Sequence, residues 1–358
     1  MAPIRVGIIG QGRSGRDIHA SYLATVPDKY AIVAVADEIP ERAARGGQEF
    51  HCDSTTNYRD LLKRDDLDLI INASFSFQHV PITKEILKSG HNALCEKPLA
   101  RKAKDADDLI VLAKKSKKLL AIYQQSRFSP VYQKVRQVIE SGVLGRIVEI
   151  KCAYNGFGRR WDWQTLQAMH GGNLLNTGPH PLDQMLMLFD AKAMPEVWCK
   201  MDRANTFGDA EDHVKLILSG KGKPTIDLEI SSCCAYPLYT YQVFGTHGSL
   251  TGLGTQLKWK YFDPAKAPAR KLIRQPLAGD KGQPIYCGEQ LPWVEEAWDL
   301  PKEVADTMFP YMAGQLYDNL HAALTQGAPL TVTPQQVRRQ IAVIEEAHRQ
   351  NPLSKLKK

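Results

Sequence analysis

The sequence predicts a two-domain α/β protein, with a doubly wound parallel sheet in its first third and mostly antiparallel strands in the remainder. A length of 358 residues is long for a single hydrophobic core. Residues 4–123 alternate short apolar runs with helical patterns over short links, which favours parallel strands joined by helices. Residues 197–262 contain short runs that alternate as half-buried antiparallel strands do. We therefore expect domains at residues 1–125 and 126–358.

Composition and charge indicate an ordinary globular protein. Hydrophobic residues make up 43% of the chain, charged residues 24%, and the net charge is +7. The lysine clusters at 114–118 and 355–358 are interpreted as solvated faces rather than a nucleic-acid site. The seven cysteines form no C-x-x-C pair, so neither a zinc site nor a disulfide framework is indicated. With no signal segment or membrane-length apolar run in this sequence, we expect a cytoplasmic protein without membrane, nucleic-acid or metal partners.

A glycine-rich turn follows the first predicted strand, residues 4–9. It consists of Gly10, Gln11, Gly12, Arg13, Ser14 and Gly15. In a G-x-G-x-x-G turn the first glycine permits the tight turn, and the second lets the backbone approach a pyrophosphate. The third lets the helix pack closely on the strand. Because the start of that helix offers N–H donors and a positive dipole to phosphates, the turn predicts a dinucleotide site.

The second predicted strand, residues 31–36, ends in Asp37. An acid at this position accepts hydrogen bonds from ribose hydroxyls and repels a 2′-phosphate, although Asp37 could instead cap the following helix. No arginine adjoins Asp37 and Glu38. The sequence therefore predicts NAD rather than NADP as the cofactor.

The alternation of helices and strands continues to residue 123. We predict helices at 40–49, 57–63, 78–88 and 102–117 and strands at 68–73, 93–95 and 119–123. Open α/β sheets bind ligands at the carboxyl ends of their strands. Ser74 should therefore border the cofactor. His79, at a helix start, could do so too or be a structural histidine.

Glu96, Lys97 and Pro98 follow the buried strand at 93–95. Two interpretations of Lys97 remain open at this stage. It is either a buried cation that balances Glu96, or a desolvated lysine beside the cofactor that holds or accepts the proton of a substrate hydroxyl. A cis peptide bond between Lys97 and Pro98 is a further hypothesis.

His180 begins a predicted helix after a glycine-rich stretch, residues 171–178. Pro179 or Pro181 suits the first turn of that helix. The helix dipole disfavours the imidazolium form there, so a neutral base is available. Asp183 lies one turn along the same face and could orient the ring. The residues alone leave His180 open as either a catalytic or a structural histidine.

In these motifs and their order, the chain resembles the glucose–fructose oxidoreductase/inositol dehydrogenase (Gfo/Idh/MocA) family. The matching segments are 10–15, 72–79, 96–98, 125–128, 142–145, 171–183 and 327–334. The resemblance implies an N-terminal Rossmann domain that binds NAD. It also implies a C-terminal α/β domain whose large, mostly antiparallel sheet often forms dimer or tetramer contacts.

The resemblance also implies roles for single residues. It places the proton-transfer lysine at Lys97 and the catalytic histidine at His180. Many members carry an aspartate where this chain has Asn176, and an amide cannot relay a proton, so Asn176 is expected only to hydrogen-bond the substrate. We assign Glu96 and Gln125 to the cofactor site, and Arg127 and Asp183 to the substrate site.

The remaining sequence is expected to deliver the substrate. Residues 155–169 form a polar, aromatic loop in which Arg160 and Trp163 suit carbohydrate, because indoles pack on sugar C–H faces and guanidinium groups bond hydroxyls. A loop pinned by buried tryptophans is an equal alternative. The segment 264–310 is interpreted as a lid or an oligomer arm. Strands are predicted at 146–154, 197–202, 213–218, 226–232, 241–244 and 257–262, and helices at 311–324 and 334–348, the last packing back on the nucleotide domain.

Together these features predict an NAD-dependent oxidoreductase that acts on a secondary hydroxyl of a sugar, glycoside or cyclitol. Two alternatives remain. A tightly held NAD could oxidise a glycoside transiently during its cleavage, or the protein could bind NAD and a sugar as a non-catalytic regulator. The expected partners are a small-molecule carbohydrate and further copies of the chain, as a homodimer or homotetramer formed through the C-terminal sheet.

Overall fold

The computed structural model describes residues 2–354, so the lysine cluster predicted at 355–358 lies outside the described residues. The N-terminal domain holds a six-stranded sheet of order β3-β2-β1-β4-β5-β6, in which every pairing is parallel. The strands are β1 Ile4–Ile9, β2 Tyr30–Ala36, β3 Asp53–Thr55, β4 Leu69–Asn72, β5 Asn92–Glu96 and β6 Leu120–Tyr123. The chain order reverses between β1 and β4, which confirms the predicted doubly wound sheet and places a ligand crevice at that point.

Helices cover both faces of this sheet. They are α1 Arg13–Ala20, continued by Ser21–Leu23, α2 Pro40–Glu49, α3 His79–Lys88 and α4 Ala103–Ser116. The first part of α1 has wide, π-type turns and begins at Arg13, inside the glycine-rich turn. Ile8, Ile70 and Leu94 are fully buried because both faces of their strands are covered. This explains why the central parallel strands are mostly apolar in the sequence.

The second domain is built on an eight-stranded sheet of order β14-β13-β12-β11-β7-β10-β9-β8. Only the β7–β10 pairing is parallel, so the sheet is mostly antiparallel, as predicted. Its strands are β7 Ile147–Asn155, β8 Glu196–Asp202, β9 His213–Ser219, β10 Thr225–Ser231, β11 Tyr241–Gly245, β12 Gly248–Leu253, β13 Gln256–Phe262 and β14 Trp293–Asp299. Strands β12 and β14 were not predicted.

The remaining helices pack against one face of this sheet and against the N-terminal domain. They are α5 Pro130–Glu140, α6 Asn173–Asn176, α7 Pro179–Phe189, α8 Lys302–Asp306, α9 Met308–Gln326 and α10 Pro334–Gln350. Ile226, Leu228 and Ile230 of β10 are buried within this core. Across the part of the chain that the structure describes, no helix is both long and apolar enough to cross a bilayer.

Helices α9 and α10 return to the N-terminal domain, as expected for α10. The Tyr317 ring of α9 stacks on Tyr22, and its hydroxyl lies 2.6 Å from Nδ1 of His19. In α10, Arg338 forms a bidentate ion pair with Asp107 of α4. The same helix also contacts β8, so it joins the two sheets directly.

Candidate active site

A cleft of about 430 Å³ opens at the carboxyl ends of β1, β2, β4 and β5. It lies where the strand order reverses, the usual ligand position in such sheets. The loop of residues 160–164 from the second domain closes one side. The cleft brings together most of the predicted site residues: Gly10, Gly12, Arg13, Ser14, Asp37, Ser74, His79, Glu96, Lys97, Arg160 and Trp163.

The β1–α1 turn forms a cradle that fits a pyrophosphate. Gly10 has a φ of +90°, and a Cβ there would lie 2.4 Å from the carbonyl oxygen of Ala73. A Cβ on Gly15 would lie 1.7 Å from the carbonyl oxygen of Gly10, so neither position accepts a side chain. A Cβ on Gly12, by contrast, would meet only Arg42 at 3.9 Å. The backbone at Gly12 is therefore accessible, and the start of α1 is available to a phosphate.

Asp37 is fixed at the ribose end of the cleft. Its Oδ2 accepts the N–H of Gln11 at 2.6 Å, and its Oδ1 accepts the N–H of Ile39 at 2.9 Å. A carboxylate oxygen can accept more than one hydrogen bond, so both oxygens can still accept from ribose hydroxyls. Arg42 of α2 also lines this end and was missed, because it lies five residues beyond Asp37 and reaches the cleft only once α2 has formed.

The side chain of Gln11 does not line the cleft, which corrects its assignment as a cofactor contact. It is fully buried, and its Nε2 donates to the carbonyl oxygen of Gly10 at 3.0 Å. A Cβ on Gly46 would lie 2.8 Å from its Oε1, so the amide packs under α2. Only the backbone of Gln11 is placed near the phosphate cradle.

His79 braces the wall of the cleft. Its Nδ1 lies 2.7 Å from the carbonyl oxygen of Pro98, and its Nε2 lies 3.2 Å from that of Ser74. Burial lowers the pKa of His79. The Ser74 hydroxyl donates to Oδ1 of Asn72 at 2.7 Å. The ring thus connects the loops after β4 and β5, which favours the structural interpretation of this histidine.

Lys97 connects the two domains at the centre of the cleft. The Lys97–Pro98 bond is cis, as hypothesised. Its Nζ donates to the backbone carbonyl oxygen of Asn176 at 2.9 Å. Burial lowers the pKa of Lys97, Glu96 opposes that change, and the charges of Arg13 and Arg160 lower the pKa further. The lysine is therefore less basic than an exposed one, and it lines the same cleft as both arginines.

Glu96 lies behind Lys97 and is almost fully buried. Its Oε1 is 3.2 Å from Nε2 of His19, and its Oε2 accepts the backbone N–H of Lys97 at 3.0 Å. Burial alone raises the pKa of Glu96, but His19 and Lys97 outweigh that effect and lower it to about 2. Because the Nζ of Lys97 donates to Asn176, Lys97 does more than balance this carboxylate. His19 was missed, since one helix histidine gives no local signal.

His180 lies in the first turn of α7, as predicted. Its Nδ1 is 3.0 Å from Oγ of Ser126, in the turn that follows β6. Burial, and then the charge of Lys97, lower the pKa of His180 to about 3, although Glu96 acts in the opposite direction. The imidazole is therefore neutral at neutral pH and can accept a proton.

The predicted roles of Asp183 and Arg127 are wrong. Nε and Nη2 of Arg127 donate to the two carboxylate oxygens of Asp183 at 2.5 and 2.6 Å. The two side chains are only 6% and 2% exposed, and neither lines the cleft. Asp183 therefore pairs with Arg127 inside the protein, and Ser126 takes the place beside His180 that the helical spacing suggested for Asp183.

Asn176 and Arg160 meet through Gln164. Oδ1 of Asn176 accepts from Nε2 of Gln164 at 2.9 Å, and Gln164 also contacts the guanidinium group of Arg160. Trp163 lies edge-on to Phe75 with ring centroids 5.0 Å apart, on the cofactor side of the loop. Gln125 is buried and does not line the cleft, so its contact with the cofactor remains a prediction. Within residues 2–354, no group of three or more His, Cys, Asp and Glu residues is placed to hold a metal ion.

Comparisons with known proteins agree with this geometry. Residues 4–124 match the Gfo/Idh/MocA model described as an oxidoreductase family with an NAD-binding Rossmann fold, and residues 132–251 match the C-terminal domain model of the same family. The uncharacterized oxidoreductase C115.03 of Schizosaccharomyces pombe is 28% identical over 279 residues, which are 75% of this chain and 73% of that protein.

Two further proteins have named ligands or substrates. The inositol 2-dehydrogenase/D-chiro-inositol 3-dehydrogenase of Lactiplantibacillus plantarum is 30% identical over 145 residues, 40% of this chain and 41% of that protein. The WlbA dehydrogenase of Bordetella pertussis, solved with NADH and UDP-GlcNAcA, superposes with a TM-score of 0.77 at 18% identity. That match covers 97% of this chain and 95% of the WlbA chain. At this identity the superposition shows a shared fold alone.

Proposed function

Because the chain belongs to the Gfo/Idh/MocA family of NAD-binding oxidoreductases, we propose that it moves a hydride between NAD and a secondary hydroxyl of a sugar, glycoside or cyclitol. The observation that carries the proposal is that Lys97 lines the cofactor cleft and that its charge acts on His180, whose imidazole is neutral at neutral pH. An inositol dehydrogenase among the relatives supports a polyhydroxylated substrate.

The proposed proton transfer rests on the position of Lys97 in the cleft and on the uncharged state of His180. When bound, NAD supplies the hydride acceptor or donor at its nicotinamide ring. His180 is uncharged at neutral pH and accepts the hydroxyl proton as the alcohol is oxidised. Lys97, held by the carbonyl oxygen of Asn176, donates a hydrogen bond to the same substrate oxygen and stabilises its developing negative charge. In the reverse direction the same groups return the proton to a carbonyl oxygen.

We propose that NAD is the preferred cofactor and that the protein works as a homo-oligomer. The carboxylate of Asp37 repels a 2′-phosphate, although Arg42 at the same end of the cleft moderates that repulsion. Association is proposed through the sheet face opposite α7 and α10, where Trp198 and Phe244 are exposed. A cytoplasmic location completes this proposal.

The test is a panel of sugars, glycosides and cyclitols with NAD⁺, in which NADH absorbance and product masses are recorded together. We expect NADH with at least one member, and a loss of about 100-fold or more in Lys97→Ala, in line with the usual contribution of a proton-transfer group. Lys104→Ala is the matched control, because Lys104 is exposed on α4. Cleaved product without NADH would indicate that NAD oxidises the glycoside only transiently. If neither NADH nor a product appears, a non-catalytic regulator is favoured.

A further inference from the structure

A second cavity, of about 790 Å³, lies beside the cofactor cleft at the end of the eight-stranded sheet. We call it the side pocket. Its lining comes from the ends of β7, β10, β11 and β12, from the starts of α5, α6 and α9, and from the loops at 156–160, 232–240 and 254–255. A volume of this size holds a drug-sized molecule, which is more than one sugar ring requires.

The side pocket joins the candidate active site at Arg160, which lines both cavities. Arg160 and Lys97 line the same cleft, so the junction opens into the space that Lys97 faces. On the other side, Asn173 and Thr177 line the side pocket while the backbone carbonyl oxygen of Asn176 between them holds Lys97. A ligand with one end at Lys97 can therefore extend past Arg160 into this space.

The lining chemistry selects an uncharged, partly aromatic ligand. Arg160 is the single charged residue among the described residues that line the side pocket, and it is paired with Asp162 at 2.6 Å. The other polar groups are amides and hydroxyls, and the apolar surface includes Phe157, Pro237 and Tyr239. Without a second cation, the pocket lacks the charge that would bind a nucleotide diphosphate.

The rim of the side pocket carries exposed, largely apolar side chains. Tyr236 is 87% exposed and Leu238 85% exposed, on either side of the lining residue Pro237. The two loops are joined at their base, because the N–H of Gly156 donates to the carbonyl oxygen of Ser231 and the N–H of Cys234 donates to that of Gly156. An exposed aromatic ring such as that of Tyr236 can stack on a planar ligand.

We propose that the side pocket binds the aromatic aglycone of a neutral glycoside, whose sugar ring lies between Lys97 and His180. This inference rests on the proposed function, because it names the substrate class of the same site. It predicts that free monosaccharides are poor ligands and that sugars carrying a nucleotide diphosphate are excluded.

The test compares methyl glycosides with 4-nitrophenyl glycosides of the same sugar and anomer, so that only the aglycone differs. Binding is measured by calorimetry with NAD⁺ present, on the wild-type protein and on Lys97→Ala, which separates binding from turnover. We expect the 4-nitrophenyl member of the best pair to bind about tenfold tighter or better, the range of one well-packed aromatic contact. Phe157→Ala and Tyr239→Ala should reduce that preference to within about threefold. Tyr286→Ala, outside both cavities, should retain it.

The outcomes for the two proposals are distinguishable. Equal binding of the two glycosides, or no binding of either, overturns the aglycone site even if the wild-type protein oxidises free sugars. The aglycone site is also overturned if Phe157→Ala and Tyr239→Ala still prefer the 4-nitrophenyl glycoside. The same holds if these variants lose the association between copies but keep that preference. A clear 4-nitrophenyl preference without any NADH supports the aglycone site and counts against the proposed dehydrogenase.

Discussion

The pairing of Arg127 with Asp183 predicts that Asp183→Asn damages stability rather than catalysis. The pair is bidentate, and its side chains are 6% and 2% exposed. Removing one partner of a buried ion pair leaves an unpaired charge and costs about 3–5 kcal/mol. For a domain of this size, about 2–4 °C of melting temperature is lost per kcal/mol, so we expect a fall of about 6–20 °C.

The exposed pair between Arg338 and Asp107 is the matched control. It has the same bidentate geometry, but its side chains are 38% and 48% exposed. Exposed pairs contribute about 0–1 kcal/mol, so Asp107→Asn should lower the melting temperature by at most about 4 °C. Replacement of both buried partners, Arg127→Met with Asp183→Leu, should restore most of the stability, because no charge is then left unpaired.

Calorimetric melting and steady-state kinetics on the best substrate of the panel, corrected for the folded fraction, measure the two effects separately. We expect the kcat/KM of folded Asp183→Asn to stay within about threefold of the wild-type value, since Asp183 lies outside the cleft. A variant with normal melting and a kcat reduced about 100-fold would refute this reasoning. It would restore the interpretation that Asp183 orients His180.

Three further predictions concern the cofactor, the backbone and the pH dependence. Asp37→Ser should raise the kcat/KM ratio of NADP⁺ to NAD⁺ about tenfold or more, because the carboxylate no longer repels a 2′-phosphate; an unchanged ratio would argue against this role. Gly172→Ala should destabilise the protein by about 1–3 kcal/mol more than Gly142→Ala in denaturant unfolding. Both glycines have positive φ, but a Cβ at Gly172 would lie 2.4 Å from a carboxylate oxygen, whereas Gly142 has open space; equal losses would contradict this. Near pH 5, unfolding of the wild-type protein should take up about one proton at His180. The variant His180→Gln should lack this uptake, which is measured from the pH dependence of the unfolding free energy. The folded pKa of His180 is about 3, so the wild-type protein loses stability as pH falls from about 6.5 towards 3, and an unchanged slope would mean that His180 titrates normally.

Local signals in the sequence were sufficient for most of the cofactor half of the fold, although the short strand β3 was not predicted. The runs of β1, β2 and β4 are apolar at most positions because helices cover both faces of their sheet. The glycines of the β1–α1 turn, the acid at the end of β2 and the helix start at His180 are each determined by neighbours within a few residues. These features could be predicted before any long-range contact was known.

Strands without such a signal were missed. Strand β14 lies at the edge of the eight-stranded sheet, and most of its residues are exposed, so its sequence lacks an apolar alternation. Strand β12 contains two glycines, which weaken strand preference. Both strands exist because β13 lies between them and pairs with each, a contact that no local pattern encodes.

By itself, the sequence determined the parallel domain, the phosphate-binding turn and the positions of Lys97 and His180. Only the tertiary structure decided the partner of each side chain. Arg127 and Asp183 are 56 positions apart in the chain, so no local pattern links them. They pair because a buried charge needs a partner of opposite charge. Burial likewise lowers the pKa values of Lys97 and His180. Desolvation depends on which segments pack together, and the sequence does not show this packing. Helical spacing alone could not show that His180 lies beside Ser126 rather than Asp183.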